Sequence, residues 1–396
     1  MNEKVIDIII RGDVNNLKEI IENNKNEIIY DTLLFETAIH NNNSTAVISF
    51  LCNYFINSKN VTLLLSELVL LLTKNENLTL LKYITNNYLY DNSFIIKLLL
   101  IHKNNESLCE KDLISILSKE KSKFNWDVVD EEGDTPLIIA CKNQNELIVK
   151  YLIEQGADIN KADNNGNTPL ITLCRIGNVN MVKYLIDCGA NVNLCNKYGF
   201  RPLIISCIKN NETMVRYLVE KQADTNKADN YGKTPLILAC ESENINIIKY
   251  LIDGNADINK KDDNGNTPLI IICKKKNERI AKYLINHGAD VNKENKFGLT
   301  PLIMSCRNGD QTIVSYLVNN HADINKSDNY GDTPLITACM QNNENLSKYL
   351  IDNNAEINKA DNHGHTPLFF ACRNKNEFIS KYLIDHGAEV TMSNHK

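Results

Sequence analysis

Cysteine, aspartate, histidine and tyrosine recur along this chain at spacings that could support metal binding, acid–base chemistry or stacking on nucleic-acid bases. Of its 12 cysteines, eight stand at a constant step of 33 residues, at Cys141, Cys174, Cys207, Cys240, Cys273, Cys306, Cys339 and Cys372. Helices packed side by side lie roughly 8 to 10 Å apart, whereas a disulfide needs Cα atoms within about 7 Å. The ladder therefore reads as small buried packing residues. Cys188 and Cys195 share one loop but have no Cys or His pair at a finger-like spacing, so no metal site is expected there. Aspartates head most of the repeated segments, from Asp130 to Asp361. A carboxylate that recurs caps its own turn, whereas a catalytic one would be unique. His363 and His365 flank Gly364 beside Asp361 and suggest a small acid–base or metal cluster, yet on a loop tip they read as surface variation. The tyrosines from Tyr151 to Tyr382 could stack bases, but they fall on the apolar face of a helix and read as core or half-buried packing. There is no nucleophile elbow, phosphate-cradling glycine loop or His-Glu-x-x-His helix. The sequence predicts no enzyme, no cofactor and no resident metal.

The elements that carry these ladders follow from the same step. All 8 prolines lie 33 residues apart, from Pro136 to Pro367, and the turn glycines keep the spacing from Gly133 to Gly364. One unit, Asp163 to Cys195, reads DNNGNTPLITLCRIGNVNMVKYLIDCGANVNLC. It holds two short apolar-periodic stretches separated by a polar turn. Thr168 stands where an N-cap is wanted, and Pro169 takes the first helical position, where a missing N–H costs nothing. A second helix is expected over Val179 to Asp187, closed by Gly189 in the left-handed region. ANVNLCNKYG then makes the extended excursion to the next unit.

The 33-residue period, with G-x-T-P-L opening the first helix and G-A-D-[IV]-N following the second, resembles the ankyrin repeat. The resemblance implies an all-α solenoid of stacked helix-turn-helix units with short β-hairpin-like loops. It covers eight regular repeats within 130–396: 130–162, 163–195, 196–228, 229–261, 262–294, 295–327, 328–360 and 361–393. Where the family pattern has T-P-L-H, this chain has isoleucine, from Ile138 to Ile336, and then Phe369, so the polar contact of that histidine is expected to be missing. Residues 1–129 keep the rhythm without proline. The stretches VIDIIIRGDVNNLKEII, LVLLLTKNENLTLLKYI and FIIKLLLIHKNNESLCEKDLISIL predict degenerate helix pairs that cap the array, and Tyr83-Ile84 repeats Phe50-Leu51 one step later.

Composition limits the function. At 396 residues the chain exceeds what one core usually supports, which a repeat array resolves. A net charge of -6 argues against a general nucleic-acid binder. The most apolar stretch, Val61 to Leu72, falls short of the ~20 residues that span a bilayer. No signal-like cleavage site follows the N-terminal apolar run. A monomeric, intracellular protein of the cytoplasm or nucleus is expected.

The resemblance implies a protein–protein interaction scaffold that holds a partner on its concave face and loop tips. Against the repeated frame, the varied positions stand beside the turn glycine and just after the repeated cysteine. Tyr198, Phe200, Tyr231, Phe297, Leu299 and Tyr330 place apolar side chains on loops where other repeats carry Asn, Glu or His. After the cysteines come Lys142, Arg175, Lys274, Arg307 and Arg373, a basic stripe within an acidic total. Lys274 and Arg307 beside the aromatic pairs predict a partner with an acidic segment that carries apolar anchors. The alternatives are a structural spacer or membrane–cytoskeleton linker without a single strong partner and, more weakly, nucleic-acid association through the stripe, disclosed by steep salt dependence. Repeat 196–228 is expected to be the weakest, because Arg201 replaces the capping Thr, Gln222 the loop glycine and Thr225 a buried Ile or Val.

Overall fold

The structure, a computed structural model, describes residues 125–390 continuously and, before them, 2–23, 110–118 and positions 34, 37–39, 46–48, 50–51, 96 and 98–100. The expectations for residues 61–72 and for the Tyr83-Ile84 match lie outside the described residues.

From Asp130 onward each 33-residue step builds one helix pair. First helices start at the prolines, as in Pro169–Ile176, and second helices follow after a short turn, as in Val179–Asp187. Thr168 is extended (φ -77°, ψ 164°), and its Oγ1 accepts from the backbone N–H of Ile171 at 3.2 Å. The second helix is capped by Asn178, whose Oδ1 accepts from Met181 N–H at 3.1 Å. Each of these side chains satisfies an amide that helix geometry leaves without a partner.

The first helices are buried almost all round: Leu137, Ile138, Ile139, Ala140 and Cys141 are all in the core. The second helices bury a stripe, as Met181, Val182 and Leu185 do. Apolar side chains that disappear this completely contribute about 1.5 to 3 kcal/mol each. Ile138, where the family pattern has histidine, belongs to that core. The cysteine ladder lies there too, from Cys141 to Cys339, and burial pushes the Cys273 and Cys339 thiols up to about 12. Cys372 departs from the expectation of burial and is exposed. It stands in the last described repeat.

The chain divides into two compact units, residues 1–191 and 192–396. In the first, Asn2–Arg11 and Val14–Asn23 pack together, Glu110–Leu117 packs on Glu146–Glu154, and Pro136–Lys142 packs on Pro169–Ile176. In the second, the first helices stack in sequence from Pro202–Ile208 to Pro367–Arg373, with their second helices alongside.

Among the described residues the loops form no strand. Single hydrogen bonds join them instead, such as Asn329 N–H to Phe297 O at 3.1 Å. The over-use of asparagine has a structural reason in the A-D-I-N segments. Asn259 Oδ1 accepts from Asp290 N–H at 2.8 Å and its amide donates to Gly288 O at 3.1 Å. Asn226, Asn292 and Asn358 clamp their following repeats in the same two-sided way.

In repeat 196–228, Arg201 makes no cap bond and Gln222 sits at φ +64°, as the sequence leads one to expect. Two compensations were not legible. The Arg201 guanidinium donates to Gly199 O and Ala228 O at 3.3 and 3.2 Å. Thr225 donates its buried hydroxyl to Gly254 O at 3.0 Å.

Candidate functional site

Each loop tip is built on one side chain at the head of the repeat. Asp328 Oδ1 accepts from Tyr330 N–H at 2.9 Å and from Asp332 N–H at 3.0 Å, and Asn295 does the same for Phe297 and Leu299. A glycine follows, because the turn needs positive φ and the next loop lies close. At Gly298, φ +75°, a Cβ would come within 2.6 Å of Asn329 N. The residue before the glycine is thus held by its backbone while its side chain is left outside.

Four of the expected contact residues occupy that position. Tyr198, Tyr231, Phe297 and Tyr330 are 53%, 63%, 54% and 62% exposed. Phe200 is half-buried, with its ring 6.1 Å from that of Tyr198. Leu299 does not belong with them. It is 7% exposed, because the residue after the glycine turns inward to the start of the first helix.

The basic residues divide in a way the stripe did not foretell. Lys274 is exposed in the last turn of Pro268–Lys275 and makes no ion pair among the described residues. Arg307, read as a free contact, instead donates to Asp328 Oδ2 at 2.7 Å, and that carboxylate side chain has no exposure. It neutralises the turn beneath Tyr330, a structural duty.

The missed signal is a pairing between the residue after the turn glycine and the residue eight positions later. Asp134 pairs with Lys142, and Asn167 accepts from Arg175 at 2.8 Å. Lys233 pairs with Glu241 at 2.8 Å with the charges exchanged. Much of the variation after the cysteines therefore serves these internal pairs. Asp332 breaks the rule, since Met340 stands where its base would be. Burial, then Asp328 and Asp361, hold the Asp332 carboxyl above the ordinary carboxylate value.

His365 lies 3.2 Å from Asp361 through Nδ1 and stacks on Phe369 at 4.1 Å, so it packs on its own repeat. Among the described residues no group of three or more His, Cys, Asp or Glu is placed to hold a metal ion. The tyrosine ladder is buried at Tyr151 and half-buried at Tyr184, Tyr283, Tyr316 and Tyr382, with a lysine of the preceding repeat over each of the last four rings at 5.6 to 5.8 Å. No helix among the described residues is long and apolar enough to cross a membrane.

Comparison with curated proteins finds no match. The family model described as ankyrin repeats (3 copies) matches residues 91–194, 175–262, 254–328 and 313–394. These segments take in every regular repeat, and the chain belongs to the ankyrin repeat family.

Proposed function

We propose that this protein is a non-catalytic interaction scaffold that holds a protein partner on the loop tips of residues 192–390 and on the adjoining ends of its first helices. Ankyrin repeats are in general protein–protein interaction modules without catalysis. The observation that carries the reading here is the row of exposed aromatic rings, Tyr198, Tyr231, Phe297 and Tyr330, on loops whose backbones are already fixed. Rigid aromatic anchors bury a large area at little entropic cost, which is why such residues dominate interface energetics. Exposed Lys274 adds a charge for an acidic segment of that partner. A cytoplasmic setting is part of the proposal, because ten described cysteines are all unpaired.

The test is affinity capture with the full chain, followed by titration of the captured partner against variants. Tyr231→Ala and Phe297→Ala should each weaken binding by ~2 kcal/mol if they are anchors, and Lys274→Glu should mainly slow association. Lys381→Ala, on an exposed face of the last second helix, should bind like the parent. Unchanged affinity in all three loop and stripe variants would move the recognition surface elsewhere.

A further inference from the structure

Within residues 1–191, where Ile96 and Leu100 meet the first regular repeat, lies a cavity of about 820 Å³. Asn143 fixes the junction by donating its amide to Leu99 O at 3.0 Å. Ile96, Leu100, Val129 and Ile139 supply apolar wall, and Leu100 and Val129 are 42% and 48% exposed. Asp130, Glu131, Glu132 and Asp134 also line it, against one base, Lys142, among the described residues.

Asp134 is the unusual member. It is 3% exposed, its Oδ2 pairs with Lys142, and its Oδ1 is buried with no hydrogen-bond partner. The amides that stand at this place in two other repeats are paired on both sides. Asn167 accepts from Arg175 and donates to Asp163, and Asn266 accepts from Asn295 and donates to Asp262. A buried carboxylate oxygen without a donor is costly to leave so. Lys142 cannot supply the missing donor freely, because it also lies 3.6 Å from Glu132.

We propose that this cavity receives an arginine side chain flanked by aliphatic residues, presented by a partner protein. The guanidinium would donate to Asp134 Oδ1 and to the acidic rim, and the neighbouring aliphatic side chains would cover Leu100 and Val129. Arginine fits because its planar fork offers several donors to carboxylates in a fixed geometry and is weakly hydrated. The excess of acidic over basic residues in the described lining selects the cation. The ligand chemistry is opposite to the acidic segment proposed for residues 192–390, and the site stands or fails independently of that surface.

The test uses the full chain and the capped peptide acetyl-Leu-Arg-Leu-Val-amide, with the neutral citrulline peptide as comparison. Binding is read by calorimetry and by fluorescence of Trp126, the single tryptophan, which lies two residues before Val128 on the cavity wall. The arginine peptide should bind saturably and at least about ten-fold more tightly than the citrulline peptide, as charge-assisted bonds at a shielded site require. Leu100→Gln and Glu131→Gln, both at exposed positions, should each weaken it while leaving thermal unfolding unchanged. Asp134→Asn should abolish the arginine preference; if that variant does not fold, the other two decide. Absence of saturable binding, as when residues of this chain fill the cavity, would overturn the proposal. So would equal affinity for the two peptides, or no effect of Leu100→Gln and Glu131→Gln. No partner protein is needed, so a negative result here leaves the loop-tip reading standing and the converse.

Discussion

Asp332 shows how one side chain changes meaning with its neighbour. At the equivalent place in the first repeat, Asp134 has Lys142 eight residues later; Asp332 has Met340, 39% exposed. Met340→Lys should restore the pair and raise stability by about 0.2 to 1 kcal/mol, the range of partly exposed ion pairs. The sign with pH follows from the raised carboxyl of Asp332. Between its ordinary and raised values the folded chain holds more protons than the unfolded one, so stability contributed by this group falls as pH rises through that window. The lysine lowers the folded value and reverses that loss. Urea midpoints should therefore show a larger gain for Met340→Lys at pH 7 than at pH 4. An equal or smaller gain at pH 7 would refute the pairing.

At the scale of a helix pair, two turn positions both favour glycine, for different reasons. Gln222 closes its second helix at φ +64°, where a side chain strains the backbone. Gln222→Gly should raise stability by about 0.5 to 1 kcal/mol, the relief exceeding the entropic cost, and a lower urea midpoint would count against it. In the next repeat Gly254, just before the position that matches Gln222, has ordinary φ of -84°, so alanine would be welcome there on backbone grounds. Its Cβ, however, would meet Val219 Cγ1 at 2.5 Å and Thr225 Cγ2 at 3.3 Å. Gly254→Ala should destabilise by about 1 to 3 kcal/mol through overpacking. A neutral or stabilising result in thermal unfolding would show that the two repeats can part at little cost. Thr225 and Gly254 are thus a matched pair: a smaller loop residue on one repeat, a hydroxyl packed on its carbonyl from the other.

Across the whole molecule, stability depends on how each repeat is tied to the next, because a solenoid repeat touches only its neighbours. The asparagine clamps are the polar part of those ties. Asn259→Ala removes both the acceptor of Asp290 N–H and the donor to Gly288 O. It should cost about 1 to 2 kcal/mol at this exposed place. It should also lower the slope of the urea transition, since weakened coupling lets repeats unfold apart. A shifted midpoint with a parental slope would assign the clamp to local stability alone.

The sequence by itself determined the repeat, its helix starts and its core. Thr-Pro at a fixed step sets where a helix begins, and apolar periodicity sets which face is buried, both local properties of the chain. It also marked Tyr198, Tyr231, Phe297 and Tyr330 as departures from the loop pattern, and their exposure follows from a turn in which the residue before glycine projects outward. Leu299 looked the same on paper, yet it lies two residues further, past the glycine, and is buried. Only the tertiary structure decided what the charges do. Arg307 reaches Asp328 because stacking sets the following repeat beside it, and Lys142 reaches back from the end of its helix to Asp134 in the turn before that helix. The unpartnered oxygen of Asp134 was beyond reading as well: whether a buried oxygen finds a donor depends on tertiary neighbours, and Ile96 and Leu100, which share its cavity, offer apolar side chains.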